Sequence, residues 1–139
     1  THLGHSFPTR RSSDLSKAAL IYLYQSVYRV GCLSQTIQSA MRQILRLGAR
    51  QIVQPADDVS GSVYAGSVRG CPWFLAATVA LLPDDRERCR QALDACGPQR
   101  VYRDNLDAAE RIWEVTDSAG WAVDWKDLME KEGRFIAFL

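Results

Sequence analysis

The sequence predicts an all-α fold, a multi-helix antiparallel bundle. Apolar residues recur at helical spacing in several segments, as in Leu106, Ala109, Ile112, Trp113 and Thr116, with Asp107, Glu110, Arg111 and Glu114 on the other side. No segment carries a convincing strand pattern. Gly and Pro fall between the periodic segments, where helices stop.

In chain order, Ser16 to Val30 is the first expected helix. Leu20, Ile21, Leu23, Tyr24, Val27 and Tyr28 cover much of its circumference, which predicts packing on more than one side. Gly31 is its expected end. Ser34 can cap a second helix with Ile37, Ala40, Met41, Ile44, Leu45 and Gly48 inside, and Gln35, Gln38, Arg42, Gln43 and Arg46 on the wet face. The two read as an αα-hairpin. Residues 49–70 read as a long loop, because Pro55, Asp57, Asp58, Gly61 and Gly66 interrupt any period. An insertion or retained intron sequence would each explain its length.

Pro72 to Leu82, PWFLAATVALL, is apolar all round and reads as a central helix with Pro72 in its first turn. Pro83-Asp84-Asp85 opens an amphipathic helix with acids at the positive end of its dipole, and Gly97-Pro98 ends it. Asp104 or Asn105 is the expected start of the next helix, and Asp117, Ser118 and Gly120 its expected break. Asp124 fits an N-cap before the helix WKDLMEKEG, and Gly133 its stop. The chain closes on Phe135-Ile136-Ala137-Phe138-Leu139.

Residues 5–15, HSFPTRRSSDL, resemble the translation of a common sequencing-library adapter rather than protein-coding sequence. Residues 1–15 are therefore set outside the domain, expected to be disordered, and residues 16–139 are read as one unit. The same reading expects the parent protein to extend upstream of Ser16. Arg10, Arg11 and Asp14 leave with the segment, so the 17 basic and 16 acidic residues of the chain become 15 and 15. His2 and His5, both histidines of the chain, leave too.

That balance argues against nucleic-acid contact by this piece, since phosphate binding needs clustered Lys and Arg. With 47% hydrophobic and 24% charged residues the chain is globular in composition. Its longest apolar run, Trp73 to Leu82, is too short to span a membrane. Cys32, Cys71, Cys89 and Cys96 form no C-x-x-C pair and have no accompanying histidine, so no zinc site is expected. Cys89 and Cys96, about 10 Å apart on one helix, are too distant for a disulfide. All four read as buried small hydrophobes.

Without histidine the commonest general base is missing, and no cysteine has an evident partner to lower its pKa. Asp57/Asp58 and Asp84/Asp85 are sequence neighbours that diverge by about 100° on a helix. Gly61, Gly66 and Gly70 lack the Lys-Ser/Thr of a phosphate loop. An enzyme is not expected. Trp73, Trp113, Trp121 and Trp125 would line a ligand pocket if they converged. The preferred reading packs Trp73, Trp113 and Trp125 in the core, with Trp121 partly exposed. Arg86, Arg88, Arg90 and Arg111 alternate with Glu87, Asp94 and Glu110, and read as a solvated salt-bridged face.

One constellation is more specific. Asn105, the helix ending in Ile112-Trp113, then Asp117, a linker, Asp124-Trp125, Leu128-Met129, Gly133 and an apolar end stand in a fixed order. The segments AALIYLYQSVY (Ala18 to Tyr28) and Cys71-Pro72-Trp73-Phe74-Leu75-Ala76-Ala77 precede them. This pattern resembles the fungal-specific transcription factor domain, the helical regulatory region of zinc-cluster (Zn2Cys6) transcription factors. The departures are Tyr24 where that family usually has His and Ala77 where it has Gly. The resemblance covers Ser16 to Tyr28 and Pro72 to Leu139, and the loop poorly. It implies a structural role for Pro72, Trp73, Phe74, Ala76, Asn105, Ile112, Trp113, Asp117, Asp124, Trp125, Leu128, Met129 and Gly133. It further implies a C-terminal fragment of a larger helical regulatory domain, in a nuclear protein regulating RNA polymerase II transcription. No cofactor is expected in this chain; zinc and DNA contact would belong to an N-terminal zinc cluster outside it. Transcriptional co-regulators or an effector are the implied partners. The competing reading is a stand-alone helical module that binds proteins or a small ligand.

Overall fold

A helix apolar on every side must be enclosed by others, and one such helix organises this fold. The computed structural model describes residues 10–28, 31–52 and 70–137. Among the described residues there are six helices and no strand, which makes the fold all-α. They are α1 (Arg10–Ser26), α2 (Gln35–Ile52), α3 (Gly70–Val79), α4 (Pro83–Ala95), α5 (Arg100–Ala119) and α6 (Trp125–Lys131). Every residue of α3 except Cys71 is buried. The helix packs against α1, α2, α4 and α5; the outer helices close the shell through α1–α2, α2–α4, α4–α5 and α5–α6.

Each outer helix turns one stripe inward. On α2 the stripe is Ile37, Ala40, Met41, Ile44 and Leu45; on α4 it is Cys89, Ala92 and Leu93; on α5 it is Tyr102, Ala108, Ala109, Ile112 and Trp113. Their spacing of three and four residues is the helical period. Ile21, Ile37, Met41, Ile44, Phe74, Leu93 and Ile112 are fully buried, each contributing about 1.5–3 kcal/mol relative to an exposed position. Short α6 joins through Trp125, Leu128 and Met129, and Trp125 meets Phe74 edge to face with ring centroids 5.3 Å apart.

Several helix bounds differ from those expected. α1 starts at Arg10, so Arg10 to Leu15, expected to be disordered, form its first turns. Once Ala18 and Ile21 anchor the helix, each added residue gains one backbone bond, and the nearest breaker upstream is Pro8. α1 ends at Ser26, ahead of the expected Gly31. α2 runs through Gly48 to Ile52, taking the first residues of the expected loop; the rest of that loop, 53–69, lies outside the described residues. α3 stops at Val79, before Leu81 and Leu82. α5 begins earlier than expected, after Gln99, and continues through Asp117 and Ser118. Low helix propensity is a weak prior that packing overrides. The stop comes at Gly120, whose φ of 75° is the left-handed conformation that glycine adopts without strain.

Replacing Phe74, at the centre of this shell, with Ala is expected to cost about 3–5 kcal/mol in chemical denaturation. A loss below about 1 kcal/mol would contradict the central position of α3.

Candidate functional site

The C-terminal end of α3 concentrates the polar side chains of the interior. A helix leaves its last carbonyls without backbone partners, and here they face protein instead of water. Three other helices supply donors. From α2, the Gln38 amide donates Nε2–H to the Val79 carbonyl at 2.9 Å and to the Cys32 carbonyl at 2.7 Å. From α5, the Trp113 indole donates to the Ala77 carbonyl at 2.8 Å. From α4, Arg86 Nε donates to the Ala80 carbonyl at 3.1 Å. Thr78 Oγ1 closes the set locally by donating to the Leu75 carbonyl at 2.7 Å.

Arg86 does more than cap. Its two terminal nitrogens grip Asp117 of α5 in a bidentate pair at 2.7 and 2.8 Å. Its guanidinium also lies over the Trp113 ring, 5.5 Å from the centroid. A cation suits the negative end of a helix, and the planar fork suits a carboxylate. The Arg86 side chain is 11% exposed, which corrects the expectation of a solvated face. Arg90 fits that expectation: its guanidinium also lies over the Trp113 ring, 5.0 Å from the centroid, and it pairs with Glu87 and Glu110 at a half-exposed surface. Arg111 pairs with Glu114 and Glu132 in the same manner.

The motif residues are spread over α3, α5, α6 and the tail. Pro72, Trp73, Phe74 and Ala76 are buried on α3; Ile112 and Trp113 are buried on α5. Asp117 is exposed but held by Arg86. Asp124 caps α6 by accepting from the Lys126 backbone N–H at 2.9 Å. Trp125, Leu128 and Met129 form the buried stripe of α6, and the Trp125 indole donates to Gln25 Oε1 of α1 at 3.2 Å. Gly133 sits at φ 64°, letting the chain leave α6. Asn105 is buried and donates Nδ2–H to the Ala137 carbonyl at 3.3 Å, fastening the extended tail to α5. Trp121 is 70% exposed.

Sequence reasoning missed Gln38, Gln25 and the role of Arg86. The helical period places Gln38 on the wet face of α2, yet its amide bridges a turn and α3. Nothing in the local pattern marks it, because its partner Val79 lies far along the chain. A carbonyl excess at the end of an all-apolar helix was the available signal that donors must come from elsewhere.

The chemistry on offer is structural. Burial pushes the Cys89 thiol up to about 12, with the nearby Asp85 carboxylate adding to the shift; burial also raises Cys32 and Cys71. Thiols held protonated are poor nucleophiles. Among the described residues no group of three His, Cys, Asp or Glu is placed to hold a metal ion, and no helix is long and apolar enough to cross a membrane. A cleft of about 280 Å³ beside Trp125 is lined by Gln25, Cys32, Thr78, Asp124 and Asp127, and opens to solvent. Trp73 and Trp113 belong to the core cluster.

The family model of the fungal-specific transcription factor domain matches residues 8–139. The chain belongs to that family, a domain of transcription regulators. The match spans the loop, where the resemblance is poor, and begins inside the segment HSFPTRRSSDL. No curated protein and no solved structure shows significant similarity to the chain.

Trp113→Phe keeps an aromatic ring but removes the donor to Ala77; it is expected to cost about 1–3 kcal/mol, and Trp113→Ala about 3–5 kcal/mol. Equal melting temperatures for wild type and Trp113→Phe would show that the bond contributes nothing. Hydrogen bonding from Arg86 holds the Asp117 carboxyl below its usual range. A depressed folded-state pKa contributes stability above the unfolded value of ~3.9 and loses it as pH falls through the folded value. The stability gap between wild type and Asp117→Asn is therefore expected to be widest above about pH 5 and to close in more acid solution. A gap that widens on acidification would overturn this.

Proposed function

We propose that this chain is the C-terminal part of the helical regulatory domain of a zinc-cluster (Zn2Cys6) transcription factor, acting in the nucleus on RNA polymerase II transcription. What carries the reading is the family match along residues 8–139. The order of motif residues from Pro72 to Gly133 supports it. In this reading DNA contact and zinc belong to a segment of the parent protein upstream of Ser16, and residues 1–15 derive from adapter sequence. The domain contributes regulation: a folded helical body that receives a co-regulator or an effector and transmits that state to transcription.

The side-chain chemistry is consistent with such a role. Gln38, Arg86 and Trp113 spend their donors on the end of α3 and on joining helices, which suits a folded body that meets partners at its surface.

The test is a tethering assay. The chain is fused to an unrelated DNA-binding domain and read on a reporter promoter in a fungal host. Reporter output is expected to differ from that of the DNA-binding domain alone. Trp113→Ala should abolish the difference, while Trp121→Ser, a change at an exposed position, should retain it. Output indistinguishable from the DNA-binding domain alone would count against a regulatory role.

A further inference from the structure

α6 and the tail that follows it are thinly joined to the body formed by α1 to α5. The backbone of α6 comes close to that of α5, and α1 and α3 are reached by long side chains. Trp125 meets Phe74 and donates to Gln25, while Lys126 reaches Ser26 and Tyr22. From Trp121 to Ala137 three side chains are buried, those of Trp125, Leu128 and Met129. α3, by contrast, is buried at every residue but Cys71. With seven residues, α6 is too short to persist as a helix away from the surface it docks on.

The seam beneath this segment is poorly filled. A cleft of about 280 Å³ lies between Asp124 and Trp125 on one side and Cys32 and Thr78 on the other. A second, of about 310 Å³, lies between Met129 of α6 and Phe135 and Ile136 of the tail. A third, of about 440 Å³, lies between the tail and Asp104 and Ala108 of α5. Side chains that line such gaps forgo the dispersion contacts of a filled interior. The polar fastenings are weak as well. Glu132 holds Arg111 of α5 at 2.8 Å across a partly wet surface, where salt screens the pair. Asn105 spans 3.3 Å to the Ala137 carbonyl, and the Oδ1 of the same amide is buried without a hydrogen-bond partner. Water reaching that acceptor would relieve a cost of the docked form. Upstream, Gly120, Trp121 and Ala122 are exposed and form an unpacked joint. Few buried apolar contacts, wet polar bonds and voids together mark a unit of low local stability.

We propose that residues 124–137 are a strap that lifts from the body as one unit, on the joint at 120–123, while α1 to α5 stay folded. Lifting uncovers the side of Phe74 that meets Trp125, together with the Gln25 and Asn105 amides. The fold thus has two states that differ in the surface shown, and any change in the strength of the seam moves the balance between them. The inference rests on the packing of the chain and stands independently of the transcriptional reading.

The test is residue-resolved hydrogen exchange on the full chain. The reporters are amides bonded within the strap: Leu128 to the Asp124 carbonyl, Glu132 to Leu128 and Arg134 to Met129. They are expected to share one level of protection, about a hundredfold below that of the α3 and α5 amides, with little response to urea below the unfolding transition. Arg111→Gln, which removes the cation facing Glu132, should speed strap exchange several-fold and leave α3 unchanged. Trp125→Phe, which removes the donor to Gln25, should do the same, and so should added salt. Strap protection equal to that of α3 would overturn the proposal. So would strap exchange that neither variant alters. A gradient, with Arg134 fast and Leu128 as slow as α3, would overturn it in favour of fraying from one end. Variants that speed α3 and the strap alike would overturn it in favour of global unfolding.

Discussion

The fold depends on satisfying the carbonyls at the end of α3. Burying an all-apolar helix is favourable along its length and costly at its end, where unpaired carbonyls would each forfeit roughly 1–3 kcal/mol. This chain meets that demand with Gln38, Arg86 and Trp113, drawn from α2, α4 and α5. Each donor is itself fixed by its helix's apolar stripe. Positioning one donor therefore constrains how that helix sits on α3. The apolar contacts supply the larger free energy; the polar ones select among otherwise similar packings.

Arg86 ties this end to the surface. One guanidinium caps a carbonyl, faces an indole and holds a carboxylate on α5. An isolated surface ion pair is worth little. This one differs because the arginine is nearly enclosed while Asp117 remains wet at 62% exposure. Desolvation falls on one partner, and the carboxylate keeps enough water to stay charged cheaply. Asp117 also explains why α5 continues past residues that look like a helix break: its side chain is worth more in the last turn, opposite Arg86, than in a turn of its own.

The C-terminal elements are added to this body by lighter attachments. α6 docks through Phe74–Trp125 and through an indole bond to Gln25, while Asn105 fastens the tail. Lys126 of α6 reaches the outer side of α1 as well, with its ammonium 5.1 Å from the centre of the Tyr22 ring and a bond to the Ser26 hydroxyl. α1 packs against both α2 and α3, with Ala18 and Ile21 buried and Leu20 and Tyr24 half-buried against the core, while Tyr22, Leu23 and Val27 stay exposed.

The sequence by itself determined the all-α class, the six helices, the inward stripes, the Asp124 cap, the Gly133 exit and membership of the family. These are local features: helical period, cap chemistry and glycine conformation are written within a few residues of one another. Tertiary structure decided the rest. Gln38 stands half-buried against the end of α3 where the period placed it on the wet face, Arg86 caps a carbonyl where a solvated face was expected, and the ends of α1, α2, α3 and α5 differ from those expected. In each bond at the α3 end that joins another helix through Gln38 or Trp113, donor and acceptor lie 41 and 36 residues apart. No short-range pattern encodes such a pairing, because it exists only once burial of α3 has brought its unpaired carbonyls to side chains that the period alone would leave in water.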